Sequence, residues 1–422
     1  MVDEASPEGW SELENLLCVR LDTIGDVLMT TPALRALREQ RERRRLTLLT
    51  SPAGAEAAAL VPEIDRVIVH EAPWTKGSRE PSAWRDCALI ERLRACDFDA
   101  AAIFTTYSQS PLPAALTCHL AGIPRQLAHC RENPYGLISN WVRESELELA
   151  DRHETQRQLD LVASVGAATS DTRLSLRVSA KATTAARARL RESRLDPAQP
   201  WLMVHPGAMA ESRRYPARSY VEALREIVAA TGRRVAISGS DAERPLVDEI
   251  AGALGEAAVP LAGRLSFAEL CGAIAAAPLL VCGNTGPAHV AAAVGTPVVV
   301  LYALTNPQHA PWEARSRVLT HDVPCRWCLR SVCPEGHHAC LREIPPDEVA
   351  AAALELLAAQ DPVAGQSAGS RGGSWIDSSA PLTPASSSRP RSSSALSSTP
   401  SSSAMLPIHS QTRNVTTPPS VP

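Results

Sequence analysis

Short apolar runs alternate along the chain with longer stretches whose apolar positions recur at helical spacing. The first is Leu16–Leu21, followed by the loop DTIGD and a helix expected from about Val27 to Glu39. Leu46–Thr50, Arg66–Val69 and Ala100–Phe104 are the next expected strands, with helical patterns such as Trp84–Ala95 between them. After a charged helical stretch, Ala180–Arg194, and a turn at DPAQP, the alternation restarts at Trp201–Val204. It continues through Val235–Ser238, Leu279–Cys282 and Val298–Tyr302. Helices are expected between these strands, notably Pro216–Thr231, Ala242–Leu254 and Ser266–Ala276. Strands that alternate with helices imply parallel sheets covered on both faces. The pattern predicts two α/β units, with a boundary near Pro197–Pro200.

The last stretch breaks the pattern. Beyond about Asp361 the chain is dominated by Ser, Pro, Gly and Thr. Such residues bury too little apolar surface to offset the entropy of ordering, so residues 361–422 are expected to be a disordered tail. Composition narrows the class of the rest. Aromatics are only 4% of a chain that is 45% hydrophobic, so the core must be built from Ala, Leu, Val and Ile. A net charge of −4 gives no support for nucleic-acid binding. The start, MVDEASPEGW, lacks a basic segment followed by an apolar run, so no signal peptide is expected. The longest apolar run, Val290–Leu304, is broken by Gly295, Thr296 and Pro297 and falls short of the roughly 18 residues of a spanning helix. Seven of the 11 cysteines are scattered singly, as expected of free thiols in a reducing cytoplasm.

Four segments carry candidate chemistry. In IGDVLMTTPALRALR, Ile24 to Arg38, Gly25 permits a tight turn and Asp26 stands at the helix start, either as a cap or as a catalytic carboxylate. Asp22 lies in the same loop. In HPGAMAESRRYPARSY, His205 to Tyr220, Gly207 lets backbone approach a phosphate, and Arg213 and Arg214 offer forked donors to a diphosphate. A solvated basic pair is the plainer reading. In the segment from Cys282 to Pro307 a buried strand ends at Asn284, Thr285 and Gly286, and a helix begins whose free N–H groups suit a diphosphate. His289 lies near that start and is either a ligand or a core histidine. Cys325, Cys328, Cys333 and Cys340, with His337 and His338 between the last two, have the spacing of a structural zinc site or form a group of reduced thiols. There is no GxxxxGK[ST], no GxSxG and no GxGxxG after the first strand, which argues against nucleotide hydrolases of that type, esterases and dehydrogenases.

Together these segments resemble glycosyltransferase family 9, the ADP-heptose:lipopolysaccharide heptosyltransferases and their relatives. The resemblance covers about Leu16 to Leu357 and rests on IGDVLMTTPALRALR, PGAMAESRRYP, SGSDAER (Ser238–Arg244) and GNTGPAHVAAAVGTPVV. The cysteine segment resembles one found in a branch of that family. The resemblance implies a GT-B fold, two Rossmann-like domains facing a central cleft. After an extension over 1–14, residues 15–196 would bind the acceptor and residues 197–360 the nucleotide-sugar. It implies an inverting displacement without a catalytic cofactor, moving a heptose from ADP-heptose onto a lipid-linked, lipopolysaccharide core-like oligosaccharide. Asp26 would be the general base and Arg213 the cation that neutralises the departing diphosphate. Glu243 resembles an acidic residue that contacts the ribose. Gly207, Arg214, Asn284, Thr285, Gly286 and His289 would complete the donor site. Two positions depart from the family pattern: Asn284 stands where better-known members carry Asp, and Tyr215 where they carry Trp. Another nucleotide-sugar donor is therefore the alternative, and a catalytically idle nucleotide-sugar or metal-binding protein is the alternative from another class. The run Arg35–Arg45 holds six Arg against two Glu, which suggests peripheral contact with anionic lipid at the inner membrane face.

Overall fold

The expected strands form because Leu, Val, Ile and Ala occupy successive positions and both faces of each sheet are covered by helices. The structure is a computed structural model and describes residues 9–75, 81–144 and 152–360. The first sheet contains β1 (Asn15–Arg20), β2 (Arg45–Thr50), β3 (Arg66–Val69), β4 (Ala100–Ile103), β5 (Gln126–Cys130) and β6 (Asn140–Arg143). The helices α1 (Ile24–Glu39), α2 (Pro52–Ala58), α3 (Ala83–Arg94) and α4 (Leu112–Leu120) connect its strands, and α5 (Glu154–Ala163) and α6 (Ala180–Glu192) lead onward. The second sheet contains β7 (Trp201–His205), β8 (Arg234–Ile237), β9 (Ala258–Pro260), β10 (Leu280–Gly283), β11 (Val298–Leu301) and β12 (Ser316–Leu319). Its helices are α7 (Ala217–Thr231), α8 (Arg244–Leu254), α9 (Phe267–Ala276), α10 (Gly286–Val294), the short α11 (Ala339–Arg342) and α12 (Pro346–Ala358).

All strand pairs are parallel. The orders are β3-β2-β1-β4-β5-β6 and β12-β11-β10-β7-β8-β9. Both reverse direction at one point, between β1 and β4 and between β7 and β10. Ligands of such sheets bind outside the carboxyl ends of the strands at the reversal. The loops holding Asp26, Gly207 and Asn284–His289 leave β1, β7 and β10, so both switch points coincide with the candidate motifs.

Alternate residues of β1 enter different cores. Leu16 and Cys18 join an apolar cluster that also takes in Trp201, Met203 and Cys282 of the second sheet, while Leu17 and Val19 face a cluster with Leu89, Leu93 and Ala115. One continuous core therefore links the two sheets. α6, counted with the first unit in the sequence reading, packs on α9 beneath the second sheet. The extension is partly built in: Trp10 is buried and donates from Nε1 to Asn140 Oδ1 at 3.1 Å. Strands β5, β6, β9 and β12 had no counterpart in the pattern reading. The expected disordered tail, 361–422, lies outside the described residues. Among those residues no helix is long and apolar enough to cross a membrane.

Candidate active site

Arg20, the last residue of β1, is fully buried in a strand read as apolar. A buried guanidinium needs carboxylates, and it has three. Its Nε is 3.0 Å from Asp22 Oδ2, its Nη2 is 3.2 Å from Asp26 Oδ1, and its Nη1 is 3.1 Å from Glu154 Oε1. Glu154 opens α5 and is itself fully buried. Arg157, one turn later, binds Glu144 (Nε–Oε1 2.7 Å), and Gln158 Nε2 donates to Glu154 Oε1 at 2.7 Å. The carboxyl end of β1 is thus held in a dense, paired charge network.

Asp26 acts as a cap and stands within electrostatic reach of His309. It is the third residue of α1, and its Oδ2 accepts from Thr23 N at 3.1 Å and Thr23 Oγ1 at 2.8 Å. Burial pushes its carboxyl up, but Arg20, His309 and the Thr23 bonds outweigh that and hold it low, at about 2. Asp22 moves the other way. Burial raises it to about 6, Arg20 opposing and Asp26 reinforcing, while Gln109 Nε2 donates to its Oδ1 at 2.5 Å. Two carboxylates on one arginine are driven apart in acidity, the arrangement that separates acid and base roles.

On the second sheet, Thr285 is the N-cap of α10 and makes no side-chain cap bond; Pro287 has no N–H and Ala288 N donates to Thr285 O at 3.0 Å, so the Gly286 N–H is the one of the first three positions left for an anion. Asn284 and His289 are buried; His289 Nδ1 has no hydrogen-bond partner among the described residues, while the Asn284 side chain lies beside the Tyr302 hydroxyl and acts on it. Burial, with His309 adding, drops the His289 imidazole to about 3, so it is neutral. Arg213 ends a 3₁₀ turn, Glu211–Arg213, and its Nη1 is 3.5 Å from Asn284 O, which brings it to the same turn. Arg214 is placed differently. Its Nε donates to Ala208 O at 2.8 Å, and it lines a hollow of about 360 Å³ whose lining includes none of Asn284–His289. Glu243 caps the turn at Ser240, accepting from Ser240 N at 2.8 Å, and a Cβ on Gly207 would collide with its carboxylate. Gly207 and Glu243 therefore lie together at the end of β7.

The two helix starts meet. A Cβ on Gly25 would stand 2.7 Å from His289 Cδ2, and one on Gly286 would stand 3.2 Å from Ile24 Cγ2. The expected tight turn at Gly25 is instead the first turn of α1. What this position requires is room for the facing helix. The structure brings Asp26, Arg213, Asn284, Thr285, Gly286 and His289 to one seam.

The cysteine segment packs behind this seam. Trp327 N donates to Leu304 O and Leu329 N to Thr305 O, both at 2.7 Å, while Ser212 N and Oγ donate to Ser331 O and Arg330 O at 3.1 Å. It thus braces both the turn that carries Arg213 and the loop after β11. Trp327, Leu329 and His338 have φ of 63°, 54° and 52°, a left-handed conformation that costs non-glycine residues energy. Cys325 Sγ lies 3.6 Å from His337 Nε2, and Cys340 is raised by burial and by the other three thiols. Among the described residues no three His, Cys, Asp or Glu side chains are gathered closely enough to hold a metal ion.

Arg20, Glu154 and His309 were missed in the sequence. Arg20 carried a signal, a charge inside an apolar run. Glu154 and His309 carried none, since their partners are distant in the chain. In the basic run, four of the six arginines have internal partners: Arg35 with Glu63, Arg38 with Asp65, Arg41 with Glu14, and buried Arg44 with backbone carbonyls. Arg43 and Arg45 are exposed.

The family model described as glycosyltransferase family 9 (heptosyltransferase) matches residues 87–339. No curated protein sequence matches the chain. Among solved structures, a glycosyl transferase family 9 protein from Veillonella parvula is similar with a TM-score of 0.69 at 20% identity, over 82% of this chain and 97% of that one. The E. coli ADP-heptose lps heptosyltransferase II gives 0.66 at 22% identity, over 82% and 99%. E. coli heptosyltransferase WaaC, solved with ADP-2-deoxy-2-fluoro heptose, gives 0.54 at 18% identity, over 82% and 99%. At these identities the likeness establishes the fold, which is the two-sheet GT-B arrangement.

Proposed function

The chain belongs to glycosyltransferase family 9, and on that premise we propose that it transfers a heptose from ADP-heptose, with inversion, onto a lipid-linked core oligosaccharide. The observation that supports this most is the meeting of the α1 and α10 starts, which sets Asp26 against the Asn284–His289 turn. In this reading the acceptor hydroxyl attacks the anomeric carbon and its proton passes to Asp26. The bond from that carbon to the diphosphate oxygen breaks, and the electron pair leaves with ADP. Arg213 and the α10 start neutralise the charge that builds there. Glu243 with Gly207 takes the ribose side, and Arg214 supports the loop that carries Arg213.

Asp26→Asn tests the base. It should keep donor affinity and lose at least about a hundredfold in turnover. Near-normal turnover with saturating donor and acceptor would remove Asp26 from the mechanism. One observation favours a second reading of the proton's destination. Asp22, at about 6, is the stronger base of the pair. If Asp22→Asn and not Asp26→Asn abolishes turnover, Asp22 takes the proton. Donor identity is tested by thermal protection with a panel of nucleotide-sugars, in which ADP-heptose should raise the melting temperature most.

The four cysteines are proposed to hold one structural zinc, outside the chemistry. The soft donor set suits it, but the segment must tighten around the ion. Protein purified without chelator should carry close to one zinc per chain, and Cys328→Ser should lower both zinc and melting temperature. Zinc-free protein of full stability would rule the site out. The membrane contact is carried by Arg43 and Arg45 alone in this reading. Flotation with anionic vesicles at low salt should recover the protein, and protein left in the soluble fraction would remove the contact.

A further inference from the structure

We propose that His309 is a specificity-determining residue of the donor site, whose Nε2 takes a hydroxyl of the sugar being transferred. The proposal rests on the transferase reading above.

His309 follows β11, the neighbour in the sheet of β10, whose carboxyl end carries the Asn284–His289 turn. The backbone on both sides of it is pinned across the seam. Gln308 O accepts from Glu154 N at 3.0 Å, and Ala310 O lies 2.8 Å from His153 Nε2. His309 N donates to Tyr302 Oη at 3.2 Å. The rings of His153 and Trp312 lie 4.7 Å apart, and Trp312 Nε1 donates to Thr172 O at 2.8 Å, which fixes the end of the same loop. The backbone that carries the imidazole is therefore held in place before any ligand arrives.

Its Nε2 is buried and has no hydrogen-bond partner among the described residues. A buried polar atom left in that state is costly and calls for a physical reason. His289 Nδ1 shares the condition in the same half of the molecule. The charges that face His309 define what it waits for. Asp26 and Glu154 act on it from one side of the seam, Arg20 with them, and Arg213 from the donor sheet. In a displacement the sugar ring lies between the base and the leaving group. His309 is tied through Gln308 O to Glu154, which shares Arg20 with Asp26, and it stands within electrostatic reach of Arg213, so it belongs to the region between base and leaving group. Burial first, then Arg213 and Arg20, lower the imidazole against the pull of Asp26 and Glu154, so it is neutral. A neutral ring suits a sugar hydroxyl, which both donates and accepts, better than a phosphate, which favours a cation.

The test is calorimetry of the full chain with ADP and with ADP-heptose, for wild type, His309→Ala and His309→Gln. The glutamine amide reaches about where Nε2 stands. His309→Ala should weaken ADP-heptose by about tenfold and ADP by less than about twofold, and His309→Gln should recover most of the loss. Equal weakening of both compounds by His309→Ala would mark a merely structural residue and overturn the assignment, as would unchanged affinity for ADP-heptose. A wild type that binds neither compound would overturn the transferase reading, and this assignment with it. A wild type that binds both, with no selective loss in His309→Ala, would overturn this assignment alone.

Discussion

The two rims of the seam are built on opposite principles. At the end of β1 every charge has an opposite one against it: Arg20 holds Asp22, Asp26 and Glu154, and Arg157 holds Glu144. At the ends of β10 and β11 the buried ring atoms His289 Nδ1 and His309 Nε2 have no partner among the described residues, and the α10 start has no side-chain cap. The charges of the first rim are paired without a ligand, although Glu154 Oε2, Thr155 Oγ1 and Gln158 Oε1 are also buried there without a hydrogen-bond partner, and paired charges suit chemistry that needs groups fixed beforehand. The second is incomplete without one, which suits recognition. Mutations should therefore have opposite signatures on the two rims, stability on the first and ligand affinity on the second.

The largest effect is expected at Arg20. Arg20→Met leaves the part-buried Asp22 and Asp26 without their cation and buried Glu154 with Arg157 alone, at 3.7 Å, and breaking a buried pair from one side costs about 3–5 kcal/mol. Denaturant unfolding should show this loss. A variant as stable as wild type would mean that the network is held together by something other than Arg20. Asn284→Ala makes the contrast. It should change unfolding free energy by no more than about 1.5 kcal/mol, the scale of one hydrogen bond, while weakening ADP-heptose several-fold. A large stability loss with unchanged affinity would erase the distinction between the rims.

The smallest effect concerns pH. Burial, against Arg20 and with Asp26, raises Asp22 to about 6, so the folded state holds this proton more tightly than the unfolded chain. The stability it contributes is complete below the unfolded value and is lost as pH rises through about 6. Asp22→Asn has no such proton to lose, so its melting temperature should gain on wild type between about pH 4 and about pH 7. A gap that stays constant over that range would show that Asp22 titrates like an exposed carboxylate. Asp26 has the opposite sign, because its lowered carboxyl contributes stability above its ordinary value that is lost as pH falls toward about 2.

Much of this was legible in the chain because local order encodes it. The Leu16–Leu21 run and the restart at Trp201 announced strands and a second sheet. β9, with three residues, is too short to show a period, and β6, NWVR, sets only two apolar residues between Asn140 and Arg143. The charge network could not be read, since Arg20 and Glu154 are 134 positions apart and only the fold joins them. His309 lies two residues past the TNP turn that closes the motif. Its significance comes from orphaned burial, which no sequence pattern marks.

The division of labour between the rims is tested most directly by one comparison, the affinity of ADP-heptose for Asp26→Asn beside Arg213→Ala. With the donor gripped by the second sheet alone, Asp26→Asn should bind within about threefold of wild type, while Arg213→Ala should bind about tenfold more weakly or worse, the scale of a lost charge-assisted bond. Full affinity in Arg213→Ala with a collapse in Asp26→Asn would contradict the account.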